Sequence, residues 1–297
     1  MIAQLFMFAV AVRENPYLKE NNIYVPPQPT QPVVIWQQPA TTSDTGVITP
    51  EVPATSSIGF ILLYFAALIV VVGLVLFFIP LSALKYLFRV LFALLFTWGV
   101  FILCVFWLPL WAALAIALVG GIAWLFFTRV WLHNLVMIIA VASMAAVFGR
   151  LISPWTAMIL LGALALYDFF AVRFGYMLWM ANKMSQTAAL PAFILPRHAA
   201  ELRSPVVHMD LGKVADTDPE DRAYSVLGGG DIAFPLLLTA SVYFARGLGS
   251  SLLIAAFALA GIALAYLIQA KILKGRPIPA LPPIAVLSLA GLLIVML

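Results

Sequence analysis

Residues 226–245 read VLGGGDIAFPLLLTASVYFA. The stretch is apolar except for one acid, and at 1.5 Å per helical residue it has the length that crosses roughly 30 Å of hydrocarbon. A charged side chain inside such a span costs on the order of 2.5–3.5 kcal/mol on insertion scales, so Asp231 implies a partner or a function. Gly228, Gly229 and Gly230 just before it carry no side chains, which admits close approach of another backbone and dihedrals closed to other residues. Four residues after it, Pro235 lacks the N–H that would bond the carbonyl of residue 231, so the acid sits on a locally loosened helix.

Seven more runs of spanning length surround this one, at 58–79, 84–107, 109–128, 131–149, 153–174, 249–270 and 280–297. A further apolar run, Met1–Val12, would reach only about 18 Å as a helix and is read as a short or truncated first span. A signal peptide is the competing reading, because Ala9-Val10-Ala11 has the form of a cleavage site. Composition agrees with membrane burial: of 297 residues 64% are hydrophobic and 9% charged, with mean hydropathy +1.09, whereas a soluble domain carries about 25% charged residues. The expected fold is all-α, a polytopic membrane bundle. Its parts are 1–57, the first-span remnant and a polar proline-rich extracytoplasmic loop; 58–181, spans two to six; 182–224, a cytoplasmic loop; and 225–297, spans seven to nine. One cysteine, Cys104, and three scattered histidines point away from a disulfide framework and from a metal centre.

Basic residues set the orientation, since cytoplasmic loops accumulate them. With nine spans and the N-terminus inside, the inside loops hold Lys85, Arg89, Arg129, Lys183, Arg197, Arg203, Lys213, Arg222, Lys271, Lys274 and Arg276. The outside loops hold Arg13, Lys19, Arg150 and Arg246. The net charge of +4 is therefore a topology signal rather than a nucleic-acid footprint, and the C-terminus is expected outside.

Ten of the twelve acids lie in the two polar loops; Asp168 and Asp231 lie in spans. Asp168 is five residues before Arg173, which can snorkel to the cytoplasmic surface, and Asp231 is five residues after Val226, so both sit roughly 8 Å inside the same face. No basic residue lies near them in their spans, so each is expected to be the other's partner. Two acids held a few ångströms apart share a proton, leaving one base and one acid around a water molecule. That arrangement hydrolyses peptide bonds: the base takes a proton from water while the acid polarises the carbonyl. A proton relay or ion pathway is the other common fate of intramembrane acids. Tyr167 precedes Asp168 and offers either a hydroxyl near the pair or an aromatic packing surface. The last span opens Pro277-Ile278-Pro279-Ala280-Leu281-Pro282-Pro283, a run that breaks regular helix and leaves carbonyls for protein, water or an extended bound chain; the alternative is that the prolines start a helix.

Tyr167-Asp168, Gly228-Gly229-Gly230-Asp231 and Pro279-Ala280-Leu281, in that order on successive spans, resemble the YD, GxGD and PAL motifs of the presenilin and signal peptide peptidase family of intramembrane aspartyl proteases. Lys183–Pro196, with Leu190-Pro191-Ala192, resembles the stretch that follows the first catalytic span in presenilin-like proteins. The resemblance covers roughly 58–297 and implies a presenilin-like bundle of nine transmembrane helices. It implies Asp168 and Asp231 as the catalytic pair, with Tyr167, Gly228, Gly230, Pro279, Ala280 and Leu281 supporting the site and holding substrate. It further implies transmembrane protein or peptide substrates, no metal and no cofactor, and a microbial homologue in the plasma membrane with presenilin-like topology. The loop between the two aspartates is shorter than in animal presenilins, so obligate partner subunits are not indicated. A proton-coupled transporter or channel and a prepilin-type peptidase are the rival readings.

Overall fold

A computed structural model describes residues 1–20, 58–78, 80–127, 129–175, 191–206, 223–271 and 279–296. The proline-rich stretch 21–57, Lys183 to Leu190, the acidic cluster Asp216, Asp218, Glu220 and Asp221, and Pro277-Ile278 lie outside the described residues. Nine α-helices are described: α1 (Ile2–Glu20), α2 (Ile58–Phe78), α3 (Leu81–Val105), α4 (Leu110–Phe126), α5 (Val130–Leu151), α6 (Pro154–Arg173), α7 (Gly229–Arg246), α8 (Leu248–Lys271) and α9 (Leu281–Met296). Two strands join them, β1 (Ala192–Pro196) and β2 (Tyr224–Gly228). Each of the eight expected spans coincides with one of α2–α9 to within three residues. Helix α6 begins where Ser153 accepts from the Thr156 N–H at 3.2 Å and Pro154 fills the first helical position, where its missing donor costs nothing.

Three expectations need correction. The first helix does not stop at Val12 but runs 19 residues to Glu20, about 28 Å by helical rise. Arg13 and Glu14 looked like a terminus because charges are costly in lipid, yet both find partners on neighbouring helices. The Arg13 Nε donates to the Phe106 carbonyl at 3.0 Å, and Glu14 lies 3.7 Å from Arg150. Second, the loop 182–224 and the start of span seven contain a β-ribbon. Strands β1 and β2 pair antiparallel from Ala192↔Gly228 to Pro196↔Tyr224, so residues 226–228 are strand and the helix starts at Gly229. Third, the glycine run does not use forbidden dihedrals: among the described residues the positive-φ glycines are Gly175 and Gly247, and Gly228 sits at φ −55°.

Helix α5 occupies the centre, packed against α1, α3 and α7; α8 packs on α7 and α9, and α9 on α6. Lipid offers no hydrophobic drive between helices, so small residues that let backbones approach do the holding. A Cβ added at Gly261 of α8 would lie 2.6 Å from the Ile284 Cα of α9, and one at Gly149 of α5 would lie 2.5 Å from the Ala240 Cβ of α7. Of the described helices, α3, α5, α6 and α8 are long and apolar enough to cross a membrane, while α4 and α9 are apolar helices of 17 and 16 residues.

Candidate active site

Asp168 lies near the end of α6 and Asp231 in the first turn of α7, and both are buried, at 4% and 7% exposure. The two carboxylates are close enough to interact electrostatically. Besides facing each other, both acids receive main-chain donors.

Asp231 is the third residue of α7, with Gly228 at the N-cap. From there its side chain reaches back to accept from the Gly228 N–H, the return half of a capping box. The first N–H groups of a helix have no intrahelical acceptor, and here two of them find one: Gly228 serves Asp231, and Gly229 donates to the Pro191 carbonyl at 2.9 Å. Absence of side chains is required by closeness. A Cβ at Gly228 would lie 3.0 Å from the Asp231 Oδ2, and one at Gly229 would lie 2.5 Å from the Met137 Cε and 2.8 Å from the Pro191 oxygen. Gly230 is roomier, its added Cβ meeting the Phe234 ring at 3.4 Å.

Asp168 is held by a different helix start. The Leu281 N–H donates to its Oδ2 at 3.2 Å, and the Ala280 amide faces the same carboxylate. Helix α9 begins at Leu281, so Pro282 and Pro283 lie in its first turn and only Pro279 and Ala280 of the described approach are non-helical. The prolines therefore start the helix, as one of the two readings allowed. They also select the donors: with no N–H at 279, 282 or 283, the amides of Ala280 and Leu281 carry the positive end of α9, and Asp168 receives them. Tyr167 is half-buried and turned about 100° around α6 from Asp168.

Sequence reasoning singled out Pro191 as part of a motif but missed its contact with Gly229, and it missed Met137 and the strands that seat the glycine run. A signal was present: Ala192-Phe193-Ile194-Leu195 is an apolar run between prolines inside an otherwise polar loop.

The family model for signal-peptide peptidase, presenilin aspartyl protease matches residues 45–297. The chain belongs to this family. It is accordingly a polytopic membrane protein and an aspartyl protease, a peptide hydrolase working within the membrane. Two solved structures share its fold, both of presenilin family intramembrane aspartate proteases. One, in space group C222, is 18% identical with TM-score 0.57 and covers 98% of this chain and 95% of its own. The other, in space group P2, is 18% identical with TM-score 0.54, covering 99% and 96%. Comparison with curated proteins finds no match. The rival transport and prepilin-peptidase readings are not favoured by this family assignment.

Proposed function

We propose that Asp168 and Asp231 are the catalytic pair and that the protease cuts peptide bonds inside transmembrane segments of other membrane proteins. The observation that carries this reading is the seating of two buried carboxylates on two helix N-termini, α9 for Asp168 and α7 for Asp231, within electrostatic reach of each other.

In this mechanism one proton is shared by the pair, and a water molecule sits between them. The ionised carboxylate removes a proton from the water as its oxygen attacks the scissile carbonyl, while the protonated one donates to the carbonyl oxygen. Collapse of the resulting gem-diol returns a proton to the leaving nitrogen. The main-chain donors fix both carboxylates before substrate arrives, so little reorganisation accompanies the reaction. Gly228 orients Asp231 directly; Ala280 and Leu281 orient Asp168, with Pro279 setting their approach. Tyr167 and Gly230 lie beside these groups on the same helices and shape the walls. The chemistry uses the two acids and water, with no metal or organic cofactor.

A peptide bond inside a helix is shielded, so substrate has to unwind near the pair. Strand β2 offers an acceptor for the unwound chain. By alternation Val226 directs its N–H and C=O away from β1, toward the edge where the Gly228 amide meets Asp231, and among the described residues no third strand occupies that edge. A substrate strand added there would lie beside the carboxylates. The distribution of basic residues supports an orientation with the α5 start, the β-ribbon and the α9 start on the cytoplasmic side and the C-terminus outside. The family resemblance supports a microbial plasma membrane as its location, and the short loop between the aspartates supports action without obligate partner subunits.

The test is reconstitution with a transmembrane substrate. Asp168→Asn and Asp231→Asn are each expected to lower turnover on the order of 10⁴-fold while the protein still inserts and elutes as folded wild type. Normal turnover in either variant would remove that residue from the mechanism.

A further inference from the structure

Two adjoining polar residues of α5, His133 and Asn134, take no part in the pair. We infer that they are positioning residues, fastening the outer edge of β1 to the central helix and thereby holding Gly228 and Asp231 in register with Asp168. The inference rests on the assignment of Asp168 and Asp231 as the catalytic pair.

Successive residues of an antiparallel strand direct their backbone groups to opposite edges. Pro191 faces β2, where its carbonyl accepts from Gly229, so the outward-facing residues of β1 are Ala192 and Ile194. Helix α5 meets both of them there. Asn134 Nδ2 donates to the Ile194 carbonyl at 2.6 Å, and its Oδ1 accepts from the Ile194 N–H at 3.0 Å. The side-chain amide stands where the peptide unit of a third strand would be. His133 Nδ1 accepts from the Trp124 Nε1–H at 3.2 Å, and its Nε2 lies 3.0 Å from the Ala192 carbonyl. An indole only donates and a carbonyl only accepts, so these two bonds require a neutral ring with its hydrogen on Nε2. One turn further along, Met137 packs on Gly229.

A two-stranded ribbon is marginal on its own, so its position is dictated by what it is tied to. Here the chain of contacts runs from α5 through β1 to β2, then to the Gly228 amide and the Asp231 carboxylate. Cutting it would let the carboxylate wander, and a misplacement of about 1 Å can cost about 100-fold in rate.

The experiment uses full-length protein in liposomes with a transmembrane substrate. Asn134→Leu and His133→Phe keep bulk and remove the bonds; kcat is expected to fall by about 100-fold with KM within about threefold. His133→Gln, whose amide again presents one donor and one acceptor, is expected to recover kcat to within about tenfold of wild type. Hydrogen exchange in Asn134→Leu should rise in peptides covering 191–196 and 224–231 while α8 keeps its protection. If Asn134→Leu does not fold, Asn134→Asp, which keeps the acceptor for the Ile194 N–H, is measured in its place. A wild-type kcat, or a kcat that falls only as the melting temperature falls with exchange rising everywhere, would overturn the inference. Asp168→Asn runs alongside: cleavage by that control would sink the catalytic assignment, whereas an inactive control with a normal Asn134→Leu would sink the positioning role alone.

Discussion

At Asp231 the decisive distance is 3.0 Å, the gap between a Cβ built on Gly228 and the Asp231 Oδ2. Gly228→Ala therefore forces the carboxylate to give way by a few tenths of an ångström while leaving its helix and its burial intact. We expect kcat to drop by roughly tenfold with global stability changed by less than about 1 kcal/mol, measured by substrate turnover beside a thermal melt in detergent. Equal losses of stability and activity would mean that the glycine serves packing alone. The two acids were legible in the sequence because ten of the twelve carboxylates fall in stretches that read as polar loops and these two fall in apolar spans, even though the structure buries Glu14 within α1. Their main-chain donors were not legible. The role of Leu281 depends on where α9 starts, and four prolines in seven residues left open whether the run is non-helical or begins the helix. Arg13 and Glu14 misled for a similar reason: a charge marks the end of a membrane helix unless tertiary partners receive it, and Phe106 and Arg150 are far away in sequence.

Among the elements, α9 makes the clearest claim, because its start is proposed to act on Asp168 through an N–H and not through a side chain. Leu281→Pro deletes that donor at a position where proline is geometrically suited, and Leu281→Ala keeps the donor while removing the buried side chain. The difference between the two isolates the hydrogen bond. Leu281→Pro is expected to have a kcat at least about tenfold below that of Leu281→Ala, in the same assay and with similar melting temperatures. Matching kcat values would leave α9 as scaffold only. Helices α2 to α9 were legible at this scale because each is about one hydrophobic thickness long and bounded by charge or proline. The ribbon was hidden because five-residue strands give a weak periodic signal and because β1 and β2 are separated by a long polar stretch. The pairing joins residues far apart in sequence, and β1 is tied to α5 through His133 and Asn134, contacts that no local pattern reports.

For the molecule as a whole, the segments that end at one face of the bundle are consistent with strict alternation. The starts of α5, α7 and α9 meet the β-ribbon and the end of α6, while Arg13, Arg150 and Arg246 mark the opposite end. A cysteine placed at Arg197 in a Cys104→Ser background should react with impermeant maleimide only from the cytoplasmic side, and one at Arg246 only from outside; the reverse labelling would invert the proposed topology. Loss of small-residue contacts belongs to this scale too. Gly261→Leu, driven against the Ile284 backbone, is expected to lower the melting temperature in detergent and to release α9, and with it Asp168; an unchanged melt would show that α8 and α9 pack by other means. The central claim is that two buried acids jointly activate a water molecule against a peptide bond within the bilayer. Its most direct test is mass spectrometry of the products from a co-reconstituted transmembrane substrate, with and without an aspartyl-protease transition-state isostere. The account predicts new peptide ends inside the apolar segment, absent with the isostere and absent in Asp168→Asn and Asp231→Asn. Ends that persist in either variant, or ion flux across the liposome with no new ends at all, would contradict it.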